Sequence, residues 1–383
     1  MRVYLDNAAS TPLLPEVVDA MVPLLRGDYG NPSSIHAEGR KGRSVIEAAR
    51  KRVANALRAS LGEVFFTSGG TEASNTAIKC SVRDLGVTDV VSSPTEHHCV
   101  LHSIAEVERT RGVRAHWLRL DEWGRPDIAD LEARLAPLAG RRVLVSLMHG
   151  NNETGAMIDL ERVGELCARH GAIFHSDSVQ TVGHFPIDVS SLKVHFLTGA
   201  AHKFHGPKGA GFLYASSDHI IRPFVDGGSQ ERNMRAGTEN VYGITGLAEA
   251  LAHAEQNMAA NRERVEGLRA RFLAGLREVV PGLRVNTDLE GASLYHVLSV
   301  SLPPTPRAEL LLFNLDIAGI AASGGSACSS GADAGSHVMR AWRGEADDMI
   351  TARFSFSHLN TAEEIDFALG KIAGFLRPKA ATA

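Results

Sequence analysis

Lys203 stands in TGAAHKFHGPKGAG, between His202 and a Gly-Pro turn and directly after an apolar run. A lysine amine in a crowded, partly dry pocket loses its proton readily and becomes a nucleophile toward aldehydes. Lys208 is the second amine of the segment, and a solvated loop lysine is the plain alternative for either. Asp177 and Gln180 lie three apart in HSDSVQ, again at the end of an apolar run. A carboxylate aimed at an aromatic ring nitrogen keeps that nitrogen protonated, although a helix cap would use the same Asp. His97, in PTEHHCVL, suits stacking on a flat ring, shuttling a proton, or capping a helix. MHGNNETG gathers Asn151, Asn152 and Glu153; amides at a strand end fix a ligand by directional hydrogen bonds, and Asn also serves turns. TSGGTEASN places Gly69 and Gly70 before a helix beginning near Thr71. The free N–H groups and positive dipole end of such a helix suit a phosphate, with the Thr71 hydroxyl as a further donor.

Each segment alone has an ordinary structural explanation. Together they form a phosphate cradle, a ring-stacking imidazole, amides, a carboxylate and an amine at successive strand ends. Those are the parts that pyridoxal 5'-phosphate requires: a held phosphate, a protonated pyridine nitrogen and an amine for its aldehyde. Neither GxxxxGK[ST] nor the dinucleotide GxGxxG accounts for the glycines. A second chemistry sits in SGGSACSSGADAG, residues 323–335, where Cys328 is the one thiol in a run of small residues. A structural cysteine is normally buried and inert, whereas one on a Gly/Ser-rich tether is exposed and able to move. The expectation is a loop that carries Cys328 to and from the site. Cys80 and Cys167 lie in amphipathic helical stretches and read as core; Cys99, two residues from His97, has no assigned task.

The elements that must position these groups alternate. RSVIEAARKRVANAL places Val45, Ile46, Ala49, Val53 and Leu57 at helical spacing. EVFFTSGG, DVVSSP, RRVLVSLMH, GAIFHSD, KVHFLTGA and GAGFLYA follow as short β-rich runs, with amphipathic stretches such as LERVGELCARH between several of them. The pattern predicts an α/β domain with a mostly parallel central sheet, whose ligands bind beyond the carboxyl ends of the strands. After about residue 255 a long charged helical stretch leads into a smaller α+β domain. The chain accordingly divides into an N-terminal segment, 1–12, packing near the active site and small domain, a large domain, 13–255, and a small domain, 256–383, carrying the Cys328 loop.

The 383 residues exceed one compact core. A net charge of −4 with no basic block argues against a dedicated nucleic-acid binder. No apolar stretch is long enough to cross a bilayer, and MRVYLDNAAS has no signal-peptide core. The four cysteines form no CxxC pair, so neither a metal site nor a disulfide framework is signalled. A cytoplasmic protein with reduced thiols is expected.

With YLDNAAST, GNPSSIHAEGR, FTSGGTEASN, TEHHCVL, NNETG, HSDSVQTVGHFPID, HKFHGPKG, ERNMRAGTEN, SGGSACSSG and ARFSFSHLNTAEEID in this order, nearly the whole chain resembles the cysteine desulfurases of the iron–sulfur-cluster type. These are class V aminotransferase-like, fold-type I pyridoxal-phosphate enzymes. The resemblance implies that Lys203 carries the cofactor aldehyde, that His97 stacks on the ring and assists proton transfer, and that Asp177 pairs with the ring nitrogen and Gln180 with the ring hydroxyl oxygen. It implies that Gly70, Thr71 and His202 hold the phosphate, alongside position 200. Thr238, in RAGT, would reach the phosphate of a neighbouring subunit, so a homodimer is implied. Asn152 would face cofactor and substrate, Arg353 would grip the substrate carboxylate, and Cys328 would accept sulfur as a persulfide. The implied reaction turns L-cysteine into L-alanine and passes sulfur to an acceptor protein for cluster assembly or thiolation. A selenocysteine lyase, or another enzyme of this fold, is the alternative. Two positions depart from the family pattern. Ala200 stands where a serine is usual, removing a phosphate donor worth ~1.5–3 kcal/mol unless Thr198 or water substitutes. SGGSAC has a glycine where a serine is more familiar, which should loosen the loop further.

Overall fold

The computed structural model describes residues 1–324 and 335–376; Cys328 and its tether, and the expected motion of that loop, lie outside the described residues. The described strands are β1 (Val3–Tyr4), β2 (Val64–Thr67), β3 (Asp89–Ser92), β4 (Arg114–Trp117), β5 (Val143–Ser146), β6 (Ile173–Asp177), β7 (Phe196–Ala200), β8 (Gly211–Ala215), β9 (Arg284–Val285), β10 (Val297–Leu302), β11 (Ile320–Ala321) and β12 (Ile350–Ser355). Seven of them form a sheet in the order β2-β8-β7-β6-β5-β3-β4. Its pairings are parallel except the two made by β8.

Successive residues of these strands enter different cores, as a two-faced buried sheet demands. Val145, Phe174, Leu197 and Phe212 join one apolar cluster, built with Val53 and Leu57 of the helix Ala37–Leu57, Val163 and Leu166 of Leu160–His170, and Leu247 and Leu251 of Val241–Gln256. Leu144, Ile173, Phe196 and Leu213 join the other, with Ala73, Ala77 and Ile78 of the helix Gly70–Asp84 and Val100 and Ile104 of His98–Arg111. Local signals set these helices. Asp159 caps Leu160–His170 by accepting from the Arg162 N–H, and Gly171 ends it at φ +64. The edge strand β4, RAHW, has no apolar run to announce it; it forms by pairing with β3.

A separate core follows. Leu268, Phe272 and Leu276 of the helix Met258–Val279 pack with Leu298 and Val300 of β10, Phe354 of β12, and Ile365 and Ile372 of the helix Ala362–Leu376. The antiparallel sheet β12-β10-β9 carries it. Val3 and Leu5 belong to this second core, and β1 pairs with β11. The chain therefore starts in the second core and crosses to the large sheet over residues 6–14, where the Thr11 N–H donates to the His202 carbonyl. No described helix is long and apolar enough to cross a membrane.

Candidate active site

The carboxyl ends of β2, β3, β5, β6 and β7 open on one cavity of about 260 Å³. Gly70, Thr71, His97, Asn152, Asp177, Gln180, Ala200, His202, Lys203 and Arg353 all line it. Thr238 does not; it lies in a different pocket with Ser68, Gly209 and Arg235.

Asp177 ends β6 and is almost fully buried. Burial pushes its carboxyl up, against the opposing pull of His97, the Val179 N–H, Lys203 and the Thr198 hydroxyl. Oδ1 accepts from the Val179 N–H at 3.1 Å and from Thr198 Oγ1 at 3.5 Å. Asp177 thus fixes the turn that follows β6 and still faces the cavity. Thr198 is itself fully buried and does not line the cavity, with Oγ1 3.4 Å from Ser74 Oγ. It serves the carboxylate, and cannot replace the hydroxyl that Ala200 lacks.

Lys203 closes a one-turn 3-10 segment, Ala201–Lys203, directly after β7. Its Nζ donates to the carbonyls of Ala8 and Ala9 at 2.7 and 2.9 Å. Gln180 Nε2 donates to the same Ala8 carbonyl at 2.9 Å, so the N-terminal crossing strap is part of the site. Lys208 is exposed and outside the cavity.

His97 caps the helix His98–Arg111, its Nδ1 accepting from the Cys99 N–H at 3.1 Å. Its pKa is lowered, first by burial and then by Lys203, against Asp177. Capping and a place in the cavity coexist in one ring. Cys99 also lines the cavity, its thiol held protonated by burial.

The cradle at β2 is the helix Gly70–Asp84. Its first N–H groups have no intrahelical partner, and a Cβ at Gly70 would stand 2.5 Å from Val179 Cγ2. Only glycine brings that helix end so close to the β6 loop. Among the described residues His202 Nδ1 is buried without a hydrogen-bond partner, and burial with Lys203 nearby pushes the ring down to about 4.

The opposite wall comes from the second core and the β5 loop. Arg353, on β12, is 1% exposed. Its guanidinium donates to the Asn152 carbonyl at 2.8 Å and to Asp6 Oδ1 at 2.7 Å, and its Nε is buried without a hydrogen-bond partner among the described residues. Asn151 does not reach the cavity: its Nδ2 donates to the Thr95 carbonyl and its Oδ1 accepts from Glu153 and Thr154 N–H groups. Of the two amides expected to hold a ligand, Asn151 builds the turn that presents Asn152 and Glu153. Sequence reasoning missed Asp6, Ala8, Ala9, His98 and His337. Asp6 and the two alanines sit in a short N-terminal run without periodicity, and only the tertiary crossing brings them here.

These residues fit pyridoxal phosphate. An unpartnered histidine nitrogen and a helix amino end converge where an anion would lie. A buried carboxyl, an amine and an imidazole surround the space for a flat ring. Among the described residues no group of His, Cys, Asp or Glu is placed to hold a metal ion.

The chain matches the family Aminotransferase class-V over residues 3–367. It is similar to the putative cysteine desulfurase IscS 1 of Bacillus subtilis, 41% identical over 98% of this chain and 99% of that one. A cysteine desulfurase of Cereibacter sphaeroides is 43% identical over 95% of this chain and 93% of its own length. A solved structure titled as a NifS-like protein superposes with a TM-score of 0.90 at 34% identity, covering 98% of this chain and 99% of that one.

Proposed function

Because the chain belongs to the class-V aminotransferase family and, within it, to the pyridoxal-phosphate-dependent cysteine desulfurases, we propose that it removes sulfur from L-cysteine and stores it as a persulfide on Cys328. The observation that carries this reading is one cavity that joins Lys203, Asp177 and His97 on one wall to Arg353 on the other.

Bound pyridoxal phosphate supplies an aldehyde that links to amines and a protonated ring that withdraws electrons from the substrate carbon. The Gly70–Asp84 helix end, Thr71 and His202 hold its phosphate. Asp177 would keep the ring nitrogen protonated, Gln180 would serve the ring hydroxyl, and His97 would cover the ring. Arg353 receives the substrate carboxylate through its unpartnered Nε–H and its charge, while Asp6 and the Asn152 carbonyl fix the guanidinium plane. With the cofactor bound, Lys203 Nζ would move the substrate's α-proton. The Ala8 and Ala9 carbonyls keep that nitrogen over the cavity. Cys328 attacks the substrate sulfur: an S–S bond forms, the C–S bond breaks, and alanine leaves.

The reading includes a homodimer, in which Thr238 completes the neighbour's phosphate cradle. Thr238 lies outside its own chain's cavity, on a segment pinned by the buried Arg50–Glu231 ion pair at 2.7 Å. It also includes a cytoplasmic location for this protein, and a separate acceptor protein that takes the persulfide sulfur.

The test is Cys328→Ala holoenzyme. The variant retains cofactor absorbance and its change on adding L-cysteine, yet releases no sulfide. Unchanged sulfide release overturns the reading.

A further inference from the structure

Two residues at the head of β10 reach from the second core to the back of the cofactor wall. Tyr295 and His296 directly precede β10, and the Phe356 N–H donates to the His296 carbonyl at 2.8 Å. The His296 side chain is buried, and its Nε2 stands 3.4 Å from Gln180 Oε1. The His184 ring stacks on it, with centroids 4.2 Å apart and planes at 24°. His184 Nε2–H donates to the Lys203 carbonyl at 3.0 Å, and its Nδ1 accepts from the Tyr295 hydroxyl at 3.0 Å. One imidazole of the stack therefore meets a cavity residue that follows β6, and the other meets one that follows β7.

Each bond around Gln180 has one possible direction. The Ala8 carbonyl can only accept, so the amide end that meets it at 2.9 Å is Gln180 Nε2. Oε1 is then the end turned toward His296. It too can only accept, so His296 Nε2 carries the proton. Burial, reinforced by His184, Arg269, Lys203 and Arg353, holds the pKa of His296 well below the ordinary 6.5. The ring is therefore neutral, and its single N–H is the one spent on Gln180. Its Nδ1 is buried with no hydrogen-bond partner among the described residues. An apolar residue would avoid that cost, so what His296 contributes here is the Nε2–H. The Ala8 carbonyl is shared with Lys203 Nζ at 2.7 Å and holds only one end of the amide.

We propose that His296 is a positioning residue for the cofactor: it ties Gln180 Oε1 to the second core and so presents the second Nε2–H of Gln180 to the ring oxygen of bound pyridoxal phosphate. The inference rests on the pyridoxal-phosphate part of the desulfurase reading. With one N–H on the Ala8 carbonyl, the amide has one N–H left to give. A flipped amide would set its own oxygen against the Ala8 carbonyl and against the ring oxygen. The backbone after β6 decides where Gln180 stands; His296 decides which end of the amide does the binding. A donor on the ring oxygen favours that oxygen's charged form. It therefore lowers the pH at which the bound cofactor loses its proton, and with it the pH at which the visible band changes.

The experiment titrates the visible band of the pyridoxal-phosphate holoenzyme from mildly acid to alkaline pH, without L-cysteine. It compares wild type, His296→Phe, His296→Gln, Gln180→Leu and the double variant of Gln180→Leu with His296→Phe. Phe keeps the stack on His184 and removes the N–H; Gln offers an amide N–H at the reach of Nε2. His296→Phe should raise the midpoint by about one pH unit, a tenfold change in proton affinity. His296→Gln should stay close to wild type. In the Gln180→Leu background His296→Phe should add nothing, because the two residues act through one bond. A merely structural role predicts otherwise: an unshifted midpoint, or the same shift with and without Gln180. Either result overturns the proposal. Should His296→Phe fail to fold, nitrogen NMR of the wild-type holoenzyme decides. The ring signals of His296, identified by their loss in His296→Gln, should show the proton on Nε2; a proton on Nδ1 instead overturns the proposal. A wild type that gains no visible band on adding pyridoxal phosphate overturns the cofactor reading and this inference with it. A wild-type band whose midpoint His296→Phe shares overturns the inference alone.

Discussion

The two walls of the cavity are built by different means. The cofactor wall grows from the ends of parallel strands: Asp177 closes β6, Ala200 closes β7, and Lys203 and Gln180 follow within one turn. The substrate wall is assembled across the molecule, from Asp6 near the amino terminus, Asn152 and Glu153 after β5, and Arg353 and His337 in the second core's half of the chain. The first wall is positioned by backbone geometry. The second is positioned by the partly buried Arg353–Asp6 ion pair and a few long-range hydrogen bonds. Cofactor binding should therefore survive damage to the substrate wall, whereas substrate selection should not.

The largest effect that could break this contrast is at Lys203. Lys203→Ala should lose the cofactor's visible band with the lysine and cut turnover by ~10⁴-fold, the upper range for one acid–base group. A retained band would move the amine role elsewhere. Next is Arg353→Ala, which removes a charge-assisted contact worth ~1.5–3 kcal/mol. The kcat/KM for L-cysteine should fall ~10–200-fold, mostly through KM, while the affinity for pyridoxal phosphate, measured by titration of the apo protein, stays the same. A parallel loss of cofactor affinity would show the walls to be one unit.

Acid should separate the walls too. Buried histidines back the cofactor wall and are held neutral: burial pushes His149 to about 4, His175 to about 3 and His205 to about 3, from an ordinary 6.5. Their folded values lie below the unfolded ones, so the unfolded chain binds more protons and stability falls as pH drops from about 6.5 toward 4. Thermal unfolding between pH 7 and 5 should show a falling Tm, with a smaller slope in His175→Gln. A flat Tm would mean those rings are not buried as neutral groups. The smallest effect expected is a gain. Ala200→Ser restores a hydroxyl at a site with no substitute in Thr198. It should tighten pyridoxal phosphate by ~10-fold, the low end of a charge-assisted contact; no change would place the phosphate away from β7.

The same contrast explains what was legible in the sequence. Strand-end residues announce themselves, because an apolar run followed by a polar pair marks where a parallel sheet stops. Asp177, Gln180, His97 and Lys203 were found that way, and the sheet with them. Asp6 and His337 carry no such mark. Asp6 reaches the site because β1 pairs with β11, a contact between residues more than 300 apart. His337 reaches it through a bond to a backbone carbonyl, which no side-chain pattern encodes. Asn151 was over-read for the opposite reason: two adjacent asparagines look alike until the turn sends one inward. β4 escaped notice because pairing, not composition, makes it a strand.

The central claim is that both walls serve one transfer, from L-cysteine to Cys328. The direct measurement is the mass of the holoenzyme and its peptides after a single addition of L-cysteine, with reductant excluded. The account predicts one added sulfur atom per chain, on the peptide containing Cys328, and one alanine released for each. An unmodified Cys328 peptide alongside released alanine, or sulfur on Cys80, Cys99 or Cys167 instead, would contradict it.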